Sequence, residues 1–293
     1  MEEFDVEKYR KENPMDYLKV MDILNEHHDN PFIFEIMFKI TRLHIPKLLY
    51  KYYSLADNDP FNEVKFSTLL DKKIYISDLE SFNDPFDGRA FFYRSEELLK
   101  YESLKSWNGK PIDDFASYVR LASFTKVGIN NMPMWAHYSN NHRGYCVEYD
   151  TTLQENLYLK ASMFPVQYVD KRIDITPIMD TIMSELERLK EKALREGTKR
   201  IHLDNMILPL IGIFYNCIKH PSWSYEEEIR YITSSTNDYY VNAIPSAIYI
   251  GEKCNNVNKS RLLDIANELR IPAYQMGLSK YSLEYEFEPK LIS

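Results

Sequence analysis

Apolar and polar positions alternate with two different periods along the chain. Tyr17, Leu18, Met21 and Leu24 recur at helical spacing across Met15–His27, and Phe32–Leu43 has the broad apolar face of a second helix. Ile45-Pro46 ends that helix, because the residue before proline is pushed out of the helical region. From Leu48 short aromatic runs take over. "LLYKYYS" (Leu48–Ser54), "KIYIS" (Lys73–Ser77), Ala122–Thr125, Tyr145–Tyr149 and Pro165–Tyr168 read as strands, with a helix over Phe61–Leu70 and a short one around Ala136–Asn141. Thr176-Pro177 marks a helix start and Gly197 its stop. Leu203–Ile218, apolar nearly all round, reads as a buried helix. Tyr225–Ile232 alternates as a strand, and so do Ala247–Ile250, Ala273–Met276 and, as an edge, Tyr281–Phe287; Ser260–Arg270 is a helix. The predicted class is α+β, with a split mixed or antiparallel sheet. Residues 1–47 form a helical extension, and 48–293 a single α+β domain with a helical insertion at 176–220.

Composition narrows this modestly. The 293 residues are 44% hydrophobic and 27% charged, which suits a full core. Only 8 Gly stand against 23 Tyr and 15 Phe, which argues against a glycine-rich phosphate-binding fold. The net charge is −8, and residues 1–30 alone carry nine acids and four bases, so the chain as a whole repels phosphate backbones. Three scattered cysteines give neither a zinc spacing nor a disulfide framework. A charged N-terminus and the lack of a long apolar run predict a cytoplasmic protein with no membrane partner.

Chemistry-bearing side chains concentrate in three stretches. Ser81–Arg89, "SFNDPFDGR", reads as an ordered loop at a cleft rim, with Phe82 and Phe86 as anchors. Leu121–Asp150 gathers Ser123, Thr125, Trp135, His137 and Tyr138 into one short unit. His137 and His142 sit about 140° apart round a helix, a poor metal pair, so no metal site is expected. In His220–Thr233, period two sets Glu226, Glu228 and Arg230 on one strand face, with the carboxylates about 7 Å apart. Such a pair suits electrostatic and general-base work if buried, and a surface ion pair if not.

The series "LLYKYYS", "KIYISDLESFNDPFD", "MPMWAHYSNNHRGYCVEYD", "WSYEEEIRYI" and "AIYIG" resembles an uncharacterised bacterial family, over about residues 48–276. The order of these blocks is also similar to the ADP-ribosyltransferase superfamily, including its nucleic-acid-modifying toxin branches. That resemblance implies that Lys51 on the first strand positions NAD, with Tyr53 the alternative register. It matches Ser123-Phe124-Thr125 to a Ser-Thr-Ser strand and Glu226-x-Glu228 to E-x-E, with Glu228 the catalytic position. The chain departs from the pattern in having Lys51 for Arg, Phe124 within the hydroxyl series and Tyr52 for Gly.

The resemblance implies an NAD-consuming transferase or glycohydrolase of toxin or phage-defence type, with a nucleic-acid or protein acceptor. Glu228 would bind a ribose hydroxyl and Glu226 orient the nucleophile. Arg230 and His137 would assist, and Tyr75, Trp135 or Tyr138 would stack on nicotinamide. The acidic N-terminal helices would cover the site or bind a partner such as an antitoxin. The competing expectation is a non-catalytic recognition module with an aromatic cleft.

Overall fold

Aromatic and β-branched runs pair into strands because their side chains fill a pleated, half-buried surface. The computed structural model describes residues 4–27, 30, 32–111, 119–198, 201, 212–234 and 237–293. Its strands are β1 (Leu48–Tyr53), β2 (Lys73–Tyr75), β3 (Phe91–Phe92), β4 (Arg120–Thr125), β5 (Tyr145–Asp150), β6 (Met163–Pro165) and β7 (Gln167–Tyr168). They continue with β8 (Ile173–Asp174), β9 (Ile218–Lys219), β10 (Glu228–Thr233), β11 (Tyr240–Asn242), β12 (Ala247–Ile250), β13 (Ala273–Leu278) and β14 (Phe287–Leu291). The helices are α1 (Val6–Glu12), α2 (Tyr17–Glu26), α3 (Ile33–Leu43), α4 (Phe61–Leu70), α5 (Ser95–Leu98), α6 (Met132–Tyr138), α7 (Leu157–Ala161), α8 (Thr176–Glu196) and α9 (Asn256–Leu269).

Eight strands form one mixed sheet in the order β14-β13-β12-β5-β1-β4-β10-β6, with β12 and β13 parallel and the other neighbours antiparallel. One side packs on α4 and α9 through Leu49, Phe66, Val147, Ile248, Leu262 and Ile265. Trp135 of α6 sits with Tyr52, Cys146, Met276 and Phe287. A third cluster joins α2 and α8 to the β4–β10 half through Tyr17, Leu121, Met179, Ile182 and Cys217.

The sheet is split at its centre. β1 runs in full register with β5, from Leu48↔Asp150 to Tyr53↔Tyr145, but meets β4 only at Tyr50↔Thr125. Past that point the Lys51 ammonium, not a backbone N–H, donates to Ser123 O at 3.0 Å. Ser77 takes up the far end of β4, exchanging backbone bonds with Leu121.

Several expectations need correction. The strand expected over Tyr225–Ile232 begins at Glu228, because Pro221–Glu226 forms a 3-10 helix and Glu227 adopts a left-handed conformation. The edge strand is Phe287–Leu291 rather than Tyr281–Phe287; Tyr281, Leu283 and Tyr285 are exposed and lie before it, outside any strand. The short helix starts earlier than Ala136, because the Asn131 side chain accepts from Met134 N and caps it. Thr176 lies inside α8, and Asp174 accepts both its N–H and its hydroxyl. Of the helix expected over 203–218, residues 203–211 lie outside the described residues, 212–215 are helical, and Ile218–Lys219 is a strand. Phe86 is 58% exposed and anchors nothing, whereas Phe82 packs against the core. Among the described residues no helix is long and apolar enough to cross a membrane.

Candidate active site

A cavity of 340 Å³ fills the gap that the split leaves between β1 and β4. Tyr50, Lys51 and Tyr52 form one wall, and Leu121–Thr125 the other. Lys219, Glu226 and Glu228 line it together with Tyr138 and Met134 of α6, and Ser77, Phe82 and Asn83 complete it from the loop side. Tyr75, half exposed, stands in the same lining with its ring near Tyr239 and Tyr240.

The two carboxylates converge although they do not share a strand. Glu227 turns left-handed between them, held by its N–H to Ser224 O and an ion pair to Lys126 at 3.0 Å. This turn brings both neighbours to the cavity, at 3% and 4% exposure for Glu226 and Glu228. Those values exclude a solvated ion pair. Lys219 bridges the two at 2.6 and 3.2 Å. The Tyr138 hydroxyl donates to Glu226, and the Thr125 hydroxyl donates to the Glu226 carbonyl. Thr125 therefore positions the turn rather than offering a free hydroxyl.

Behind Glu228 stands Arg230, fully buried. Its guanidinium donates to both Glu228 oxygens at 2.8 and 3.0 Å, to both Asp87 oxygens at 2.6 and 2.7 Å, and to Asn216 O at 2.6 Å. The Tyr168 hydroxyl accepts from Glu228 N at 3.0 Å. Such a fork fixes a carboxylate geometrically as well as electrostatically.

Environment drives the two acids apart. Burial and the neighbouring Glu228 charge raise Glu226 above the usual carboxylate range, although Lys219 and Tyr138 pull it down. Burial also penalises Glu228, but Arg230 and Lys219 outweigh it and hold that carboxyl at about 2. Ser123 Oγ is buried without a hydrogen-bond partner among the described residues, yet lies close enough to Glu228 to assist that lowering. Burial lowers the Lys51 ammonium to about 8 against a partial opposing pull from Glu228. Burial and Glu226 raise the Tyr138 phenol, so it stays a donor.

Of the residues singled out in the sequence, Lys51, Tyr75, Ser123, Thr125, Tyr138, Glu226 and Glu228 line this cavity. Four do not. Trp135 is fully buried, its indole N–H donating to Ile129 O and its ring edge-on to Tyr52, so it is a core residue and no ligand stack. Tyr53 stacks on Tyr145 at 4.8 Å, outside the cavity lining, with the Lys51 ammonium 5.7 Å from its ring centre. His137 is exposed and packs on Tyr225. Arg230 lies behind Glu228, outside the lining. Among the described residues, none of the N-terminal helices lines the cavity; Tyr17 of α2 bonds instead to Pro165 O and Gln167 at the edge of the sheet.

Sequence reasoning missed Lys219, Asp87 and Asn83. Asp87 and Asn83 sit in the F-N-D-P-F-D loop, which the sequence alone places only at a cleft rim. A buried Arg needs paired carboxylates, and that requirement was the available signal for Asp87. Lys219 follows an apolar run without any local pattern.

Residues 134–231 match the model of a family described as a protein of unknown function, DUF2971. The matched stretch runs from α6 through Lys219 and both carboxylates into β10, and leaves out the F-N-D-P-F-D loop. It resembles an uncharacterised family and brings no chemistry with it. No curated protein and no solved structure matches the chain.

Proposed function

We propose that the cavity in the split sheet cleaves the nicotinamide–ribose bond of NAD and transfers ADP-ribose to an acceptor or to water. The observation that carries this is the pair of buried carboxylates with pKa values pushed in opposite directions, lining one cavity with Lys51 and Ser123. Two like groups separated in this way divide acid–base labour. Glu228 stays ionised at neutral pH and stabilises the positive charge that builds on the ribose as nicotinamide leaves as a neutral base. Glu226, whose pKa is raised, is the better proton acceptor and takes the proton of the incoming hydroxyl or water. The Tyr138 hydroxyl and Lys219 ammonium fix its orientation. At 340 Å³ the cavity is near the lower end of the ~300–1,000 Å³ usual for small-molecule sites, so it suits the nicotinamide riboside half of the dinucleotide. The resemblance to toxin branches of the superfamily extends the reading to an effector acting on a nucleic acid or protein.

The test is nicotinamide release from NAD. Wild type turns over, with or without an added acceptor, and Glu226→Gln lowers the rate by about 10²–10⁴-fold, the range for a lost general base. A second reading, a recognition module, draws support from the complete engagement of Glu228 by Arg230 and Lys219. It predicts NAD binding without release, unaffected by Glu226→Gln.

A further inference from the structure

The F-N-D-P-F-D loop separates the split-sheet cavity from a second one of 470 Å³. Phe82 and Asn83 face the first, Asp84, Pro85 and Phe86 the second, and Lys219 lines both. Asp84 is 6% exposed. Its Oδ1 accepts from Phe86 N at 2.9 Å, while Oδ2 is buried with no hydrogen-bond partner among the described residues. A carboxylate oxygen kept from water without a donor is costly unless a ligand supplies one. Two aromatic rings, Phe86 and Trp223, line the same cavity; Lys171 and Arg172 add positive charge beside Asp170, and the Arg172 guanidinium also donates to Arg89 O and Phe91 O.

We propose that this second cavity is a nucleobase subsite, taking a planar amino-bearing heterocycle on a phosphorylated ribose. The ring stacks on Phe86 or on the face of Trp223 that the Lys219 ammonium leaves free, its exocyclic amine donates to Asp84 Oδ2, and the phosphate meets Lys171. Two sources fit this chemistry. One is the adenine half of the same dinucleotide, with Lys219 between the halves; the other is a separate acceptor nucleotide. Only the first rests on the proposed cleavage of NAD.

Calorimetric titration with adenosine monophosphate and with purine riboside monophosphate, which lacks the amine, tests the subsite. Wild type binds the amino compound at least ~10-fold more tightly, as expected for a hydrogen bond to a charged group. Asp84→Asn keeps the acceptor for Phe86 N but turns the free oxygen into a donor, and abolishes that preference. Trp223→Leu weakens both ligands. Equal affinities in wild type, or no binding of either at millimolar concentration, overturns the proposal. Displacement of adenosine monophosphate by NAD assigns the base to the dinucleotide, and simultaneous binding assigns it to an acceptor. Amine-dependent binding without nicotinamide release contradicts only the cleavage reading. Release without nucleotide binding contradicts only the subsite.

Discussion

Glu226 and Glu228 carry the same side chain two positions apart, yet their protons are held under opposite conditions. The difference is their partners: Glu228 has a fully buried guanidinium behind it, while Glu226 has one ammonium and one phenol. The Tyr138 hydroxyl is among the groups holding Glu226 down. Tyr138→Phe therefore raises the Glu226 pKa further, and because a base acts only when ionised, the acid limb of the kcat/KM profile moves to higher pH. An unmoved limb separates Glu226 from the chemistry. Arg230→Met leaves Asp87 buried without its cation and Glu228 with Lys219 alone, and lowers stability by about 3–5 kcal/mol in urea unfolding. Arg230→Lys keeps the charge, loses the fork and costs less.

At the scale of elements, the site depends on α6 meeting the turn that carries Glu226. Asn131 joins them, capping α6 through Met134 N and donating to Tyr225 O at 2.8 Å. Asn131→Ala costs about 1 kcal/mol as a lost cap, read from thermal unfolding, and also lowers nicotinamide release because the turn loosens. The strands bordering the cavity were legible in the sequence because aromatic alternation is local: β1 and β4 fall within two residues of where periodicity puts them. The convergence of Glu226 and Glu228 was legible from their spacing, but the backbone that achieves it was not. Alternation through Tyr225–Ile232 gives no sign that Glu227 would turn left-handed to pair with Lys126. Trp135, expected as a ligand stack, and Tyr53, expected as the alternative register to Lys51, misled for the reverse reason: only the packing of Trp135 against Tyr52 and of Tyr53 against Tyr145 reveals core residues.

For the whole molecule, the buried charges of Lys219, Arg230, Asp87, Glu226 and Glu228 tie two distant parts of the chain, the loop carrying Asp87 and the stretch from Lys219 to Arg230, to one centre. Lys219 was illegible because such pairing has no local period, and Asp87 is signalled only by the need of a buried Arg230 for carboxylates. This centre makes stability depend on pH. Glu228 has a folded pKa of about 2, below the unfolded carboxylate value of about 4.3, so its stabilisation is complete above that value and disappears as pH falls toward 2. Urea unfolding is expected to show stability falling with pH across that window, and the fall is absent in Glu228→Gln.

The most direct measurement is free nicotinamide produced from NAD at neutral pH by wild type, Glu226→Gln and Ser123→Ala, each checked for folding. The account predicts turnover by wild type, a loss of at least ~10²-fold in Glu226→Gln and a smaller loss in Ser123→Ala. Nicotinamide release by a folded Glu226→Gln protein at the wild-type rate, or no release by wild type with any acceptor, contradicts it.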